Sequence, residues 1–319
     1  MTQPATLGDY FDELRTLVET GLEHAVHTSG APPVLADGLA YALLGGGKRL
    51  RPCLTLAVAD SVADHLNLET EEARWLALPS ACAVEMVHSY SLVHDDLPSM
   101  DDDELRRGRP TTHIVFGEGL AVLAGDGLLT DAFGVIARSP SPVLPLGAPE
   151  APPERRLHAI AMLASAAGAA GMVGGQAIDL AAAGQVTGYV AGGLDSAGLI
   201  DMHARKTGAL IRAAATLGAV AVGAPDGLVV QIDAYARELG LAFQIVDDIL
   251  DVEGSAETLG KTAGKDSAAD KPTYPSIYGI EESSRLARAC VDRARAALES
   301  AGLTGWLEDI AEWTLARRH

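Results

Sequence analysis

A helical period of apolar residues runs through nearly the whole chain, and few architectures can absorb it. Leu7 to Val26 reads as an opening amphipathic helix, and Pro32-Pro33 breaks the chain before a second helix over Leu35 to Leu44. Gly45-Gly46-Gly47 closes that one, because three successive glycines do not stay helical cheaply. Arg74 to Asp96, Ile114 to Ala137, Glu154 to Ala183, Asp195 to Val222 and Pro225 to Val252 read as long helical segments. Glu282 to Ala301 and Leu307 to Arg317 end the chain. Ser139 to Pro153, with prolines at 140, 142, 145, 149, 152 and 153, is a surface loop. The Gly/Lys/Asp-rich stretch from Glu253 to Pro272 is another. Aromatic residues make up only 4% of the chain, and β-branched runs are short, which suits closely packed helices better than sheets. No linker separates two cores. The expectation is an all-α bundle forming a single domain over residues 1–319.

Charge narrows the partners. With 43 acidic against 24 basic residues the net charge is -19, so the field of the molecule repels a polyanion and nucleic acid is not an expected partner. The cations nevertheless cluster: Lys48, Arg49 and Arg51; Arg106, Arg107 and Arg109; Lys261, Lys265 and Lys271. Such clusters in an acidic protein suit a small, highly charged anion. Cys53, Cys82 and Cys290 are too few and too scattered for a disulfide framework or a zinc site. Met1 to Gly8 lacks the pattern of a signal peptide. Ala159 to Ile178 has the length of a membrane span but is mostly Ala and Gly, so a buried soluble helix is expected and no membrane span. These features together read as cytoplasmic.

Two carboxylate clusters end apolar helices. In Asp247-Asp248-Ile249-Leu250-Asp251, Asp247 and Asp251 lie about 40° apart around a helix, with Gln244 and Asp248 near the same face. Like charges crowded there repel, and a divalent cation resolves the conflict; all-oxygen ligation suits Mg²⁺. In Asp95-Asp96-Leu97-Pro98-Ser99-Met100-Asp101-Asp102-Asp103, an unbroken helix would put Asp101 about 240° around from Asp95. Pro98 disfavours that continuation and lets the chain fold back, so that Asp95 and Asp101 converge. A solvated helix end would explain either cluster alone. Two of them, each in apolar helix and each beside a basic loop, argue for a site.

The anion donors follow. Gly46-Gly47-Lys48-Arg49-Leu50-Arg51-Pro52 offers backbone amides and three cations just before a helix, a diphosphate cradle without P-loop spacing. Arg106-Arg107-Gly108-Arg109 follows the first acidic cluster, and guanidinium forks bind phosphate bidentately. Lys206-Thr207-Gly208 lies in apolar helix, where an unpaired Lys is costly. Several Mg²⁺ ions and two diphosphates beside an apolar helical cavity favour ionisation of an allylic diphosphate next to a hydrocarbon pocket.

At these residues the chain resembles the trans-isoprenyl diphosphate synthases (polyprenyl synthetases), of the bacterial farnesyl diphosphate synthase type, from Gly45 to about Leu298. Gly46 to Pro52 is similar to the family's GGKxxRP segment. HDDLPSMDDDELRRGRPTTH, His94 to His113, is similar to its first aspartate-rich motif. Gly174-Gly175-Gln176 through Asp179, Lys206-Thr207-Gly208, Phe243-Gln244, Asp247 to Asp251, and Gly260-Lys261 to Pro275 match as well.

The resemblance implies a helical bundle around a deep central cavity and three Mg²⁺ ions, with Mn²⁺ as a substitute. It places two ions on Asp95 and Asp101, beside Asp96, and a third on Asp247 with support from Asp248 and Asp251. It assigns the allylic diphosphate to Arg106, Lys206, Thr207, Gln244, Lys261 and Lys271. Isopentenyl diphosphate goes to Gly47, Lys48, Arg51, His88 and Arg107. Lys206, Thr207 and Gln244 are implied as the groups that face the allylic cation. A homodimer is the family habit. A His on an apolar helix is ordinarily a satisfied core residue. The resemblance reverses that for His88 but leaves it standing for His94, and nothing is assigned to the tail Arg317-Arg318-His319.

Product length turns on Tyr90, five residues and about 7.5 Å below Asp95 along a helix. An aromatic there resembles a floor that stops growth at fifteen carbons; its neighbour Ser91 is small and adds nothing to the block. If Tyr90 merely packs a helix interface the product stays open, and geranylgeranyl diphosphate, with twenty carbons, is the alternative. Two rivals are remoter. A terpene cyclase would not need the Lys48/Arg51 site and mixes Asn, Ser/Thr and Glu in its second metal motif. A silent partner subunit usually lacks one of the two aspartate clusters.

Overall fold

The computed structural model describes residues 4–189, 194–253 and 273–317. The basic loop carrying Lys261, Lys265 and Lys271 lies outside the described residues.

Among the described residues the regular structure is α-helical, apart from one hairpin of two two-residue strands and one π-helical turn. In order they are α1 (Leu7–His27), α2 (Pro33–Leu43), α3 (Leu50–Leu66), α4 (Thr70–Asp95), strands β1 (Leu105–Arg106) and β2 (Arg109–Pro110), α5 (Thr112–Phe116), α6 (Glu118–Ala137), α7 (Pro153–Ala167) and α8 (Met172–Ala182). Then come α9 (Ser196–His203), a π-helical turn (Ala204–Gly208), α10 (Ala209–Val222), α11 (Asp226–Glu253), α12 (Tyr274–Tyr278), α13 (Ile280–Ala301) and α14 (Leu307–Ala316). The all-α expectation holds.

Several boundaries differ from the sequence reading, each for a local reason. Leu50–Leu66 is a full helix that the periodicity did not single out, because it is buried on nearly every face and has no polar side to reveal its period. Ile114 to Ala137 splits at Gly117, whose φ of 83° ends α5. Glu154 to Ala183 splits between Ala167 and Met172, and Asp195 to Val222 is interrupted by the π turn.

Helix α4 is the axis of the bundle. It packs against α3, α6 and α10, and α11 packs along α10 and α13. Leu54, Leu56, Leu78, Leu128, Ile136, Leu163 and Leu210 are among its fully buried side chains. Each contributes about 1.5–3 kcal/mol relative to exposure. The helices α4 and α11 therefore run through apolar interior, yet each ends in aspartates.

Three helical stretches, Thr70–Asp95, Glu118–Ala137 and Pro153–Ala182, are long and apolar enough to cross a membrane by length and composition. The sequence reading had singled out only part of the third. The first is 72% buried inside the bundle and is core; the third is 28% buried and turns apolar surface outward.

Candidate active site

The first acidic cluster folds back as Pro98 suggested. Beyond the end of α4, the Asp101 backbone N–H donates to the Asp95 carbonyl at 2.9 Å, and that of Asp103 to Asp96 at 3.2 Å. Asp95 and Asp101 thus stand at one place. Burial pushes the Asp95 carboxyl up to about 6; Lys206 opposes the shift and Asp101 adds to it. Asp96 is turned the other way. It is 3% exposed, and Arg106 Nε donates to it at 2.9 Å. Arg106 also reaches Asp103, at 3.4 Å. Arg106 and Arg109 pair across the hairpin, and the turn between them uses left-handed backbone at Arg107 and Gly108. That turn aims Arg107 at the glycine run, where it donates to the Gly46 carbonyl. Gly47 has φ 135°, a backbone conformation that favours glycine, and the Arg107 guanidinium lies close against it.

Of the three cations after the glycines, Arg49 is a correction. It does not face an anion site: it is 2% exposed and clamped by Glu19 and Glu85, each at 2.7 Å, and by the Leu43 carbonyl at 2.6 Å. Lys48 and Arg51 remain. The Lys48 ammonium is lowered by partial burial and by Arg317. Burial also lowers Arg51, whose Nε is buried with no hydrogen-bond partner among the described residues. His88 is held well below its ordinary value by burial, then by Arg51, Arg107, Arg106 and Arg49. A neutral imidazole beside guanidinium groups, one of them with an N–H unpaired among the described residues, is an arrangement that an anion would relieve.

Lys206 lies in the π turn, with its Nζ 2.5 Å from Asp179 on α8. Burial pulls the ammonium down, but Asp179 and Asp95 outweigh it and the net shift is upward. Gly175 makes the arrangement: a Cβ there would lie 2.2 Å from the Lys206 backbone nitrogen, so α8 and the π turn touch backbone to backbone. Thr207 follows Lys206 in the same turn.

On α11, Gln244 donates to Asp248 at 2.8 Å, and Asp248 is 6% exposed. Asp247 is 45% exposed at its side chain and pairs with Arg317 at 2.8 Å. Arg317 also donates to the Phe243 carbonyl at 2.6 Å and lies 3.7 Å over the Phe243 ring. The sequence reading assigned the tail nothing; a basic terminus in an acidic chain was the one signal for it. Asp251 is partly buried a turn further on.

Tyr90 is 6% exposed and packs edge-on against His94 at 5.6 Å. Ser91 donates to the His88 carbonyl at 2.8 Å and leaves no bulk of its own. His94 Nε2 lies 3.1 Å from the Val122 carbonyl on α6, with its side chain half-buried.

Among the described residues no three His, Cys, Asp or Glu side chains stand close enough to cage a metal unaided. The donors are carboxylate oxygens, and Mg²⁺ keeps waters and takes phosphate oxygens. Asp95 with Asp101, and Asp247, fit an ion that arrives with a diphosphate.

A bundle that ends two apolar helices in carboxylates, with fixed cations beside each, is made to handle a diphosphate on a hydrocarbon tail, as the helical prenyltransferases do. Residues 32–301 match the polyprenyl synthetase family model, and the chain belongs to that family. It is 40% identical over 311 residues to farnesyl diphosphate synthase of Geobacillus stearothermophilus, covering 97% of each. It is 41% identical over 286 residues to geranylgeranyl diphosphate synthase of Cyanophora paradoxa, covering 90% of this chain and 88% of that one. A solved structure of geranyltransferase from Helicobacter pylori, complexed with magnesium and isoprenyl diphosphate, matches with a TM-score of 0.77 at 30% identity, over 99% of this chain and 98% of that one. The family is thus settled, while relatives named for different products are equally similar.

Proposed function

We propose that the chain condenses isopentenyl diphosphate with dimethylallyl or geranyl diphosphate to give farnesyl diphosphate, releasing diphosphate. The reading is supported by two separate charged groups: Lys206 bears on Asp95 and Asp101 in one, and Arg51 and Arg107 bear on His88 in the other, to which the sequence adds Lys48. One enzyme with two diphosphate substrates needs both.

Lys206 and the guanidinium of Arg106, held in place by Asp96, bind the allylic diphosphate. Asp247 and Asp251 complete the metal set, into which the sequence alone also read Asp248, and Lys261 and Lys271 complete the cations. When bound, Mg²⁺ supplies Lewis-acid stabilisation of charge on the leaving diphosphate. The allylic C1–O bond breaks with its electron pair on oxygen, and the apolar interior keeps water from the cation. The Gln244 amide oxygen and the backbone carbonyls at Lys206 and Thr207 offer negative dipoles to that cation. Lys48, Arg51, His88 and Arg107, with the Gly47 backbone, hold isopentenyl diphosphate so that its double bond attacks C1. The departed diphosphate takes the proton, so no protein base is required.

Tyr90 supports the fifteen-carbon product: it is buried beneath Asp95 on the same helix, where a growing tail would descend. A homodimer is the proposed assembly, supported by the exposed apolar residues Ile114, Val115, Val122 and Leu123 on α5 and α6. We place the enzyme in the cytoplasm without a membrane span.

The test is incubation of the purified chain with dimethylallyl diphosphate, isopentenyl diphosphate and Mg²⁺, with mass analysis of products. A C15 diphosphate is expected. A C20 product would keep the chemistry and remove the role of Tyr90; a cyclic hydrocarbon, or no product, would overturn the reading.

A further inference from the structure

Asp248 stands in the second aspartate cluster but does not behave like its neighbours. Its Oδ1 accepts from Gln244 Nε2 at 2.8 Å, and its Oδ2 accepts from the Tyr274 backbone N–H at 2.9 Å. His203 Nε2 lies 3.9 Å from the same Oδ2. The His203 ring stacks on Tyr274, with centroids 6.0 Å apart and planes 28° from parallel; Tyr274 stacks in turn on Tyr278 at 6.0 Å. The Tyr274 hydroxyl oxygen is buried with no hydrogen-bond partner among the described residues, so it is the ring and the backbone of this residue that are in use. Asp248 is 6% exposed, whereas the side chain of Asp247 is 45% exposed.

We propose that Asp248 is a positioning residue and not a metal ligand, and that with His203 and Tyr274 it orients the Gln244 amide toward the reacting allylic carbon. The inference rests on the prenyltransferase reading above. An ionised carboxylate only accepts hydrogen bonds, so it takes the NH₂ end of the amide and never the oxygen. The Gln244 oxygen is thereby turned away from Asp248, and reversing the amide would set two acceptors against each other and lose a charge-assisted bond. Both Asp248 oxygens are already engaged by protein donors, which fixes the carboxylate in place and leaves a single lone pair on each oxygen.

The contact also ties three segments together. Gln244 comes from α11. His203 is the last residue of α9, immediately before the π turn that carries Lys206 and Thr207. Tyr274 opens α12, where its N–H has no partner within the helix and a carboxylate is a natural cap. One buried side chain thus sets the relative placement of the amide and of the π turn, the two sources of dipoles assigned to the cation.

The test uses the full-length chain with Asp248→Asn, Gln244→Leu, the double variant and, as a metal-ligand reference, Asp247→Asn. An Asn at 248 can accept from Gln244 or from Tyr274 N–H, but not from both in the same way. Positioning predicts that Asp248→Asn lowers kcat by about tenfold or more. It also predicts that the double variant loses less than the product of the two single losses, because both act in part through one amide. Calorimetric titration of Mg²⁺ into each protein with inorganic diphosphate is the readout that does not depend on turnover. Affinity is expected to stay within about twofold for Asp248→Asn and to fall for Asp247→Asn. Weakened Mg²⁺ binding in Asp248→Asn, or additive kinetic losses, would overturn the proposal. If Asp248→Asn does not fold, His203→Leu leaves α11 intact; it must lower kcat without changing Mg²⁺ affinity, and an unchanged kcat rejects the network. Failure of the unsubstituted chain to condense the two substrates would sink the functional reading instead, so the two failures are distinguishable.

Discussion

At the scale of single residues, Tyr90 and His88 carry the clearest expectations. Truncating Tyr90 to Ala opens the space below Asp95, and longer products are expected by mass analysis; an unchanged product profile would reject the floor. His88 ties pH to stability. Its folded value lies well below 6.5, so the unfolded chain binds a proton that the native one refuses. Its contribution is therefore complete above pH 6.5 and is lost as pH falls below it. The melting temperature is expected to decline across that range, and less steeply in His88→Gln. Tyr90 was legible in the sequence through its spacing from Asp95, and His88 through the family resemblance. Arg317 was not, because nothing along the chain indicates that its last turn returns to Asp247.

At the scale of elements, the contact between α8 and the π turn decides where Lys206 sits. Gly175→Ala would place a methyl 2.2 Å from the Lys206 nitrogen and push the two apart. A stability loss of about 1–3 kcal/mol is expected from thermal melts. A larger proportional loss of kcat than of substrate affinity is expected with it, and intact kinetics would show that α8 can shift freely. The Arg49 clamp joins α1, α2 and α4 at the start of α3. Arg49→Met leaves Glu85 buried without its cation, at a cost of about 3–5 kcal/mol, readable by chemical denaturation. Helix existence was readable here from the apolar period, whereas the π turn and the buried α3 were not. A helix without a polar side shows no moment, and a one-residue bulge leaves the period almost unchanged.

At the scale of the molecule, α4 and α11 pass through apolar interior and end in carboxylates, while α5 and α6 turn apolar side chains outward. Leu123 is 56% exposed on that face. Leu123→Glu is expected to convert a dimer to monomer in sedimentation experiments, without altering the carboxylate geometry. A single species of unchanged mass would place the interface elsewhere.

The amino-acid sequence by itself determined the all-helical class, the family motifs and the two aspartate clusters, because periodicity, capping and charge are local properties. It also placed the turn at Pro98, which brings Asp101 back to Asp95. Only the tertiary structure decided which like-charged neighbours do different work. Arg49 answers Glu19 and Glu85 while Arg51 stands by His88; Asp96 answers Arg106, and Asp248 answers Gln244 and Tyr274. Adjacent residues on a helix point about 100° apart, and what each one meets is set by helices distant in the chain.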